Sequence, residues 1–115
     1  MPHLFTPYEL KNVKLRNRIA VPPMCQYSAI DGVPNDWHIT NYAQFARGGA
    51  GLVIVEATAV SREGRITPGC LGIWNEQQME QHKELAHAIK KVGAVPGIQL
   101  AMPAVKPAPI SLGRR

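Results

Sequence analysis

Residues 19–27 read Ile-Ala-Val-Pro-Pro-Met-Cys-Gln-Tyr, a short apolar run that leads directly into two prolines, a thiol and a phenol. Such a run predicts a β-strand that carries chemistry at its carboxyl end. Because the second proline keeps the first extended and both fix φ, we expect Met24, Cys25 and Tyr27 to be held in a set geometry. The alternative is that Met24 and Cys25 are soft core packing, a common role for these residue types.

Two further apolar runs predict strands. Residues 52–57 (Leu-Val-Ile-Val-Glu-Ala) are typical of a parallel strand buried on both faces, and residues 95–101 predict a third strand. Since helices are expected between the three strands, the pattern predicts parallel pairing through right-handed crossovers, in a barrel or in an open doubly wound sheet. No Gly-x-Gly-x-x-Gly follows any of these strands, which disfavours a dinucleotide-binding open sheet.

The remaining segments complete an α/β pattern. A small hairpin pairs Tyr8-Glu9-Leu10 with Val13-Lys14-Leu15 ahead of the main fold. A surface loop is predicted over 31–36, followed by a helix from about His38 to Arg47. A long loop through residues 64–72 precedes a helix from the N-cap Asn75 to Val92, which Gly93 ends.

Composition limits the classes of protein. A chain of 115 residues with 45% hydrophobic and 18% charged residues is typical of one small globular domain. No apolar run approaches the length of a membrane span and no signal-peptide layout is present, so we expect a cytoplasmic protein with no membrane partner. Cys25 and Cys70 stand far apart and the histidines lack ligand spacing, so we expect no metal.

The positive charge does not predict a nucleic-acid partner. Three of the net +5 charges, on Lys106, Arg114 and Arg115, lie in a final segment without acids, so residues 1–101 carry a net +2. The other basic residues alternate with acids and form no stripe interleaved with aromatic residues.

Seven segments together resemble one family. They are Leu4-Phe5-Thr6-Pro7, Leu15-Arg16-Asn17-Arg18-Ile19, Pro23-Met24-Cys25-Gln26-Tyr27, Glu56-Ala57-Thr58-Ala59-Val60, Gly64-Arg65-Ile66-Thr67, Gly72-Ile73-Trp74 and Gly97-Ile98-Gln99-Leu100-Ala101. In this order they resemble the Old Yellow Enzyme family. The resemblance is strongest to its thermophilic-like branch of xenobiotic reductases and NADPH dehydrogenases, in which a cysteine occupies the position of Cys25.

The resemblance implies a fold and an activity. Members are (β/α)8 TIM barrels that hold FMN at the carboxyl ends of the strands. They reduce activated C=C bonds of α,β-unsaturated carbonyls and related xenobiotics with hydride from NADPH or NADH. Residues 1–101 would then be the N-terminal part of such an α/β barrel, with about three strands preceded by the hairpin. The parent enzyme would be an oxidoreductase, in many relatives a homo-oligomer.

The resemblance also implies a cofactor site. The residues that would line the flavin are Pro22, Pro23, Met24 and Cys25 from the first strand, Ala57 from the second and Gln99 from the third. The Ala57 backbone would contact the isoalloxazine and the Gln99 side chain would bond its pyrimidine edge. Cys25 would offer a weak S–H donor that tunes the flavin rather than act as a nucleophile.

Tyr27 matches the family tyrosine that helps to bind the substrate carbonyl, because a phenol can donate to an oxygen that gains negative charge. The alternative for Tyr27 is a loop aromatic with a solvent-facing hydroxyl. For Gln99 it is a strand amide that neighbouring backbone satisfies. Trp37 and His38 are interpreted as loop packing and a helix start, without chemistry.

Residues 102–115 depart from the family and form an irregular tail by composition. One allowed choice of codons for this segment, read with one base added in front, gives His-Ala-Gly-Arg-Lys-Ala-Ser-Ala-His-Lys-Pro-Trp-Glu, the family's continuation. We therefore hypothesise a frameshift product rather than a second domain. The family's later substrate-binding pair and flavin-phosphate loops have no counterpart, so we expect the 115-residue chain to be inactive alone.

Two alternatives of another class stay open. One is a small non-catalytic α/β domain that acts through a protein partner bound at an uncovered sheet edge. The other, nucleic-acid binding through the basic tail, has the least support in the sequence.

Overall fold

The computed structural model describes residues 3–102. Their main element is a four-stranded parallel sheet. Its strands are β3 (Ala20–Val21), β4 (Leu52–Ala59), β5 (Leu71–Gly72) and β6 (Val95–Ala101). The long strand β4 is central, since β3 and β6 both pair with it in parallel and β5 pairs with its carboxyl end. The predicted parallel α/β arrangement is therefore confirmed.

A separate hairpin precedes the sheet, as predicted. Its strands β1 (Tyr8–Leu10) and β2 (Val13–Leu15) pair in antiparallel fashion around a turn in which Lys11 has a φ of 54°.

Two capped helices connect the strands. Helix α1 (Asp36–Arg47) begins two residues earlier than predicted, because the Asn35 side chain accepts the Trp37 amide and so closes the end of the helix there. Helix α2 (Glu76–Lys90) begins after Asn75 as predicted, and the Asn75 side chain accepts the Gln78 amide. Within residues 3–102, no helix is both long and apolar enough to cross a membrane.

The core lies between these helices and the sheet. Val53 and Val55 of β4 point toward it, because alternate residues of a strand share one face. The helical and loop residues packed there are Tyr42, Ala46, Ala50, Leu85, Ile89 and Ala94. This packing fixes the position of β4, and with it the position of the segments that lie at its carboxyl end.

The loop after β4 contains structure that the sequence pattern did not predict. A 3₁₀ turn (Arg62–Gly64) and the two-residue strand β5 interrupt it. Neither is long enough to produce a hydrophobic period. The Trp74 ring lies close to Gly72, where a Cβ would come within 2.2 Å of it, and the guanidinium groups of Arg62 and Arg65 lie over this ring.

Arg16 braces the opposite end of the sheet. Its guanidinium donates to the carbonyls of Ala46 (2.6 Å), Ala50 (3.0 Å) and Val92 (3.0 Å), at the carboxyl ends of both helices. Helix carboxyl ends leave carbonyls unpaired and carry partial negative charge, so a guanidinium suits them. Gly93, with a φ of 98°, leaves room for it, because a Cβ there would lie 2.2 Å from Arg16 Nη1.

The predictions for the tail concern residues 102–115, of which 103–115 lie outside the described residues. Its irregular conformation and its origin in a frameshift therefore stay predictions.

Candidate functional site

The predicted site residues of β3 and β4 lie side by side at the carboxyl end of the sheet. Val21 pairs with Val53, and four residues further on Cys25 lies beside the Ala57 backbone. The hydrogen-bonded ladder between β3 and β4 ends at Val21. Cys25 and Ala57 are nevertheless separated by the same number of residues as the pair Val21 and Val53. Two residues that the sequence analysis assigned to one cofactor site are thus brought into contact.

A β-bulge places Gln99 beside the same pair. Val55 pairs with Ile98 and Thr58 with Leu100, so the single residue Gln99 lies opposite the two residues between Val55 and Thr58. Those two are Glu56 and Ala57. Bulges re-aim side chains and are common next to functional sites. Gln99 is exposed, and it follows Cys25 and Ala57 across the ends of three adjacent strands.

The segment that carries Cys25 is tied to helix α1. The Trp37 indole donates to Gln26 Oε1 (3.1 Å), and the Gln26 amide group donates to the Met24 carbonyl (2.9 Å). Asn35 Nδ2 donates to the Ser28 carbonyl (2.8 Å). Trp37 is 57% exposed and is the second residue of α1, so its contact with this segment is a hydrogen bond from the helix and not the loop packing predicted for it. The segment is held rather than loose.

A buried carboxylate lies behind this segment. Glu56 is fully buried. Its Oε2 accepts a hydrogen bond from the Tyr42 hydroxyl (2.6 Å), and its Oε1 accepts one from the Gln26 backbone amide (3.3 Å). The Tyr42 oxygen in turn accepts the Glu56 amide (2.9 Å). Burial raises the pKa of Glu56, and the hydrogen bonds from Tyr42 and Gln26 oppose that rise.

The Cys25 thiol is half-buried and its pKa is raised. Burial is the main cause, followed by the neighbouring Cys70 and Glu56, while hydrogen bonds with Ala57 and Tyr27 act in the opposite direction. A raised pKa keeps the side chain a neutral S–H group at neutral pH, which is a hydrogen-bond donor and a poor nucleophile.

Tyr27 adopts a left-handed backbone, with a φ of 54°, and its side chain is 59% exposed. This conformation is strained for a residue other than glycine, and such strain is concentrated at functional sites. Ring and hydroxyl are therefore available to a ligand at the end of the sheet.

The other predicted residues surround this place with apolar surface. Pro22 is exposed, Pro23 is half-buried, and Met24 is 44% exposed, which argues against core packing for Met24. An apolar cavity of about 300 Å³ lies elsewhere, between α2 and β6, and contains none of the predicted site residues.

Sequence reasoning missed Glu56 and Tyr42. A charged residue inside an apolar strand was the available signal, because a buried charge requires partners. It also missed the burial of His38, whose Nδ1 accepts the Asn35 amide (3.0 Å) and whose Nε2 has no hydrogen-bond partner in the described part of the chain.

Among residues 3–102, no three His, Cys, Asp or Glu side chains are grouped so that they could hold a metal ion.

Comparisons with known proteins agree with this picture. Residues 3–108 match the NADH:flavin oxidoreductase / NADH oxidase family. The chain is 48% identical over 103 residues to an NADPH dehydrogenase of Listeria welshimeri, covering 88% of this chain and 30% of the relative. A Geobacillus NADPH dehydrogenase is 47% identical over 100 residues, covering 85% and 29%. The chain thus spans about 30% of the length of the curated relatives it matches.

Solved structures show the same likeness. Morphinone reductase superposes with a TM-score of 0.80 at 33% identity, covering 87% of this chain and 26% of that enzyme. It has also been solved in complex with tetrahydroNAD. Old Yellow Enzyme from Pichia sp. superposes with a TM-score of 0.80 at 27% identity, covering 85% and 26%.

These matches confirm the resemblance to Old Yellow Enzyme and the expected fold, the N-terminal part of a TIM barrel. They also confirm, at the level of the family, the expected cofactors FMN and a nicotinamide. The chain belongs to the NADH:flavin oxidoreductase / NADH oxidase family.

Proposed function

We propose that this chain supplies the first strands and part of the flavin site of an FMN-dependent ene-reductase, an NAD(P)H oxidoreductase. One observation carries the proposal: Cys25, Ala57 and Gln99 lie next to one another across the carboxyl ends of three adjacent parallel strands. In barrel enzymes this end of the sheet is where chemistry takes place.

The chemistry of these groups fits a flavin ring. The isoalloxazine offers acceptor atoms at one edge and both donors and acceptors on its pyrimidine. Cys25, kept neutral by its raised pKa, supplies an S–H donor, and the exposed Gln99 amide can both donate and accept. Exposed Pro22 and Met24 supply apolar surface for the ring. We assign these residues to FMN on that basis.

Bound FMN would carry hydride from NADPH or NADH to the alkene of an α,β-unsaturated carbonyl or related xenobiotic. Tyr27 would bind the substrate, because its exposed hydroxyl can donate to the carbonyl oxygen as negative charge develops there. Its left-handed backbone is held in place by neighbouring main chain, which fixes the direction in which the side chain leaves the backbone.

A graft into a complete barrel tests this assignment. Residues 3–101 would replace the matching segment of the Listeria welshimeri NADPH dehydrogenase. We expect this chimera to retain FMN through gel filtration and to oxidise NADPH with 2-cyclohexenone. A chimera that folds by circular dichroism but holds no FMN would overturn the assignment; the unmodified relative is the control.

The 115-residue chain by itself is proposed to be inactive. A closed barrel uses eight strands, and part of the family's substrate and phosphate groups lies outside the segment matched here. We expect the purified chain, mixed with FMN and NADPH, to reduce no 2-cyclohexenone above a protein-free control. Sustained turnover would contradict this part of the proposal. Assembly of the parent enzyme as a homo-oligomer, and the lack of a nucleic-acid partner, remain proposals of the same kind.

A second candidate is a non-catalytic α/β domain that binds a protein partner. The observation in its favour is the exposure of Ile98 (39%) and Leu100 (57%) on β6. A discrete oligomer by light scattering would favour this candidate. A monomer or a polydisperse sample would favour an incomplete barrel.

A further inference from the structure

Glu56 is a fully buried carboxyl group that the proposed reaction does not use. It lies in an apolar strand, where a hydrophobic residue of similar volume would avoid the cost of burying a charge. Burying a charge is costly unless it is paired and hydrogen-bonded, and buried ionic groups contribute little net stability. Its presence therefore requires an account other than stability.

Every polar atom in contact with this side chain donates to it. The Gln26 backbone amide donates to Oε1 and is a donor only. The Tyr42 oxygen already accepts the Glu56 amide, so its own proton is directed to Oε2. Two donors and no acceptor match a carboxylate, which has lone pairs only. The ring formed with Tyr42 ties side chain and backbone of Glu56 to helix α1.

The location of the carboxylate connects it to the proposed flavin site. The bulge that sets Glu56 and Ala57 opposite Gln99 turns the Glu56 side chain into the interior, where it meets Tyr42. From there Oε1 holds the amide of Gln26, the residue directly after Cys25. A negative charge thus lies behind the thiol, on the side away from solvent.

We propose that Glu56 acts as a positioning residue: through its hydrogen bonds to Tyr42 and to the Gln26 backbone, its carboxylate fixes the segment that presents Cys25. The use of that thiol toward FMN rests on the function proposed above. The placement of the thiol by Glu56 does not.

Electrostatics at Cys25 agree with this geometry. The titratable groups around the thiol are Glu56 from β4, Tyr42 from α1, Cys70 from the loop before β5, and Tyr27 from its own segment. Burial, Cys70 and Glu56 all raise the thiol pKa, and the Glu56 charge acts because like charges disfavour the thiolate. Replacing Glu56 by glutamine keeps the shape, removes the charge and turns one of the two acceptor oxygens into a donor that faces a donor.

Alkylation of Cys25 in the full 115-residue chain measures this effect without flavin. The chain is treated with iodoacetamide at pH 7.5, and modification is counted by mass spectrometry in the tryptic peptide 19–47, separate from Cys70 in peptide 66–83. Since the thiolate is the reacting species, we expect Glu56→Gln to alkylate Cys25 about two- to fourfold faster than the wild type. In concentrated urea the two should react equally.

A destabilised control separates positioning from general loosening. Val53→Ala removes buried volume from the same strand, on the face packed against the helices, and leaves the carboxylate in place. We expect its Cys25 rate to stay within about 1.5-fold of wild type while its stability falls. If Val53→Ala accelerates Cys25 as much as Glu56→Gln does, the proposal is wrong. It is also wrong if Glu56→Gln folds and leaves the rate unchanged or slower.

Tyr42→Phe covers the case in which Glu56→Gln does not fold. It keeps the carboxylate but removes one donor, so the carboxylate protonates more readily and less charge faces the thiol. We expect Cys25 to be alkylated faster than in the wild type, but by a smaller factor than in Glu56→Gln. An unchanged alkylation rate would overturn the proposal. Failure of the chimera to bind FMN would instead count against the proposed function and leave these rates untouched.

Discussion

The main-chain carbonyl of Tyr27 lies directly against Gly69, where an added Cβ would come within 2.7 Å of the Tyr27 oxygen. The Ala29 amide also donates to the Gly69 carbonyl (3.0 Å). The two backbone segments are therefore in close contact at the left-handed Tyr27 and just after it. Tertiary contact, rather than local preference, holds this residue at a φ of 54°.

Gly69→Ala should for this reason destabilise the fold. The neighbour is backbone, which cannot swing away as a side chain would, so we expect a loss of about 1–3 kcal/mol in the free energy of unfolding. Urea unfolding followed by tryptophan fluorescence measures it. Gly48→Ala is the matched control, because Gly48 has a φ of −71° and no contact that a Cβ would bring below 3.3 Å. Equal effects of the two substitutions would contradict the close approach.

Arg16→Lys should weaken the brace between the helix ends. Lysine keeps the charge but cannot reach three carbonyls on two helices with one planar group, so we expect a loss of about 1–3 kcal/mol. Arg47→Lys, on the exposed last turn of α1, is the control and should change stability by less than about 0.5 kcal/mol. Thermal melts of the wild type and both variants at one pH measure the two losses of stability. An Arg16→Lys melt that coincides with wild type would show that the brace carries no stability.

His38 should make the chain less stable in mild acid. Burial lowers its pKa from 6.5 to about 4, with a smaller contribution from His82. Between these values the unfolded chain binds a proton that the native chain refuses, so stability is complete above pH 6.5 and falls as the pH decreases toward 4. The integrated loss is about 3 kcal/mol. Urea midpoints at pH 7.5, 6 and 5 measure the slope.

His38→Asn isolates this contribution. The asparagine oxygen can accept the Asn35 amide as Nδ1 does, and it does not titrate. We expect the free energy of unfolding of the variant to depend less steeply on pH, whatever its absolute value. Part of the slope should remain because burial also lowers the pKa of His82. The raised pKa of Glu56 acts in the opposite direction and is common to both proteins. Identical slopes would show that His38 is not buried in the neutral form.

The strands and helices were predictable because each carries a period or a cap that local sequence reveals. Residues 52–57, Asn75 and the turn at Lys11 are of this kind. The bulge at Glu56 and Ala57 was not, since it depends on the register of a strand some forty residues away. The Glu56–Tyr42 pair is long-range for the same reason, and the two-residue β5 has no period at all. The contacts that hold the proposed site residues lie in these non-local features, so the sequence could indicate the candidate residues but not the contacts that support them.

Gln99→Ala should weaken flavin binding without disturbing the fold. Gln99 is exposed, so its loss leaves no cavity, while an amide that bonds the pyrimidine edge would be missing. In the chimera we expect the FMN dissociation constant, from quenching of flavin fluorescence, to rise about tenfold. Gln77→Ala on exposed α2 is the control and should bind FMN as the parent does. If both variants bind equally well, Gln99 does not contact the ring.

Tyr27→Phe tests the substrate side of the proposal separately from the cofactor side. Phenylalanine keeps the ring and the backbone but cannot donate to an oxygen on which charge develops, so only the transition state should lose a contact. In the chimera we expect kcat/KM for 2-cyclohexenone to fall about 10- to 100-fold, with FMN affinity unchanged. Tyr8→Phe removes a hydroxyl from the exposed hairpin and should leave both quantities as they are. A Tyr27→Phe chimera with full kcat/KM would return Tyr27 to the role of a loop aromatic, and its strained backbone would then need another explanation.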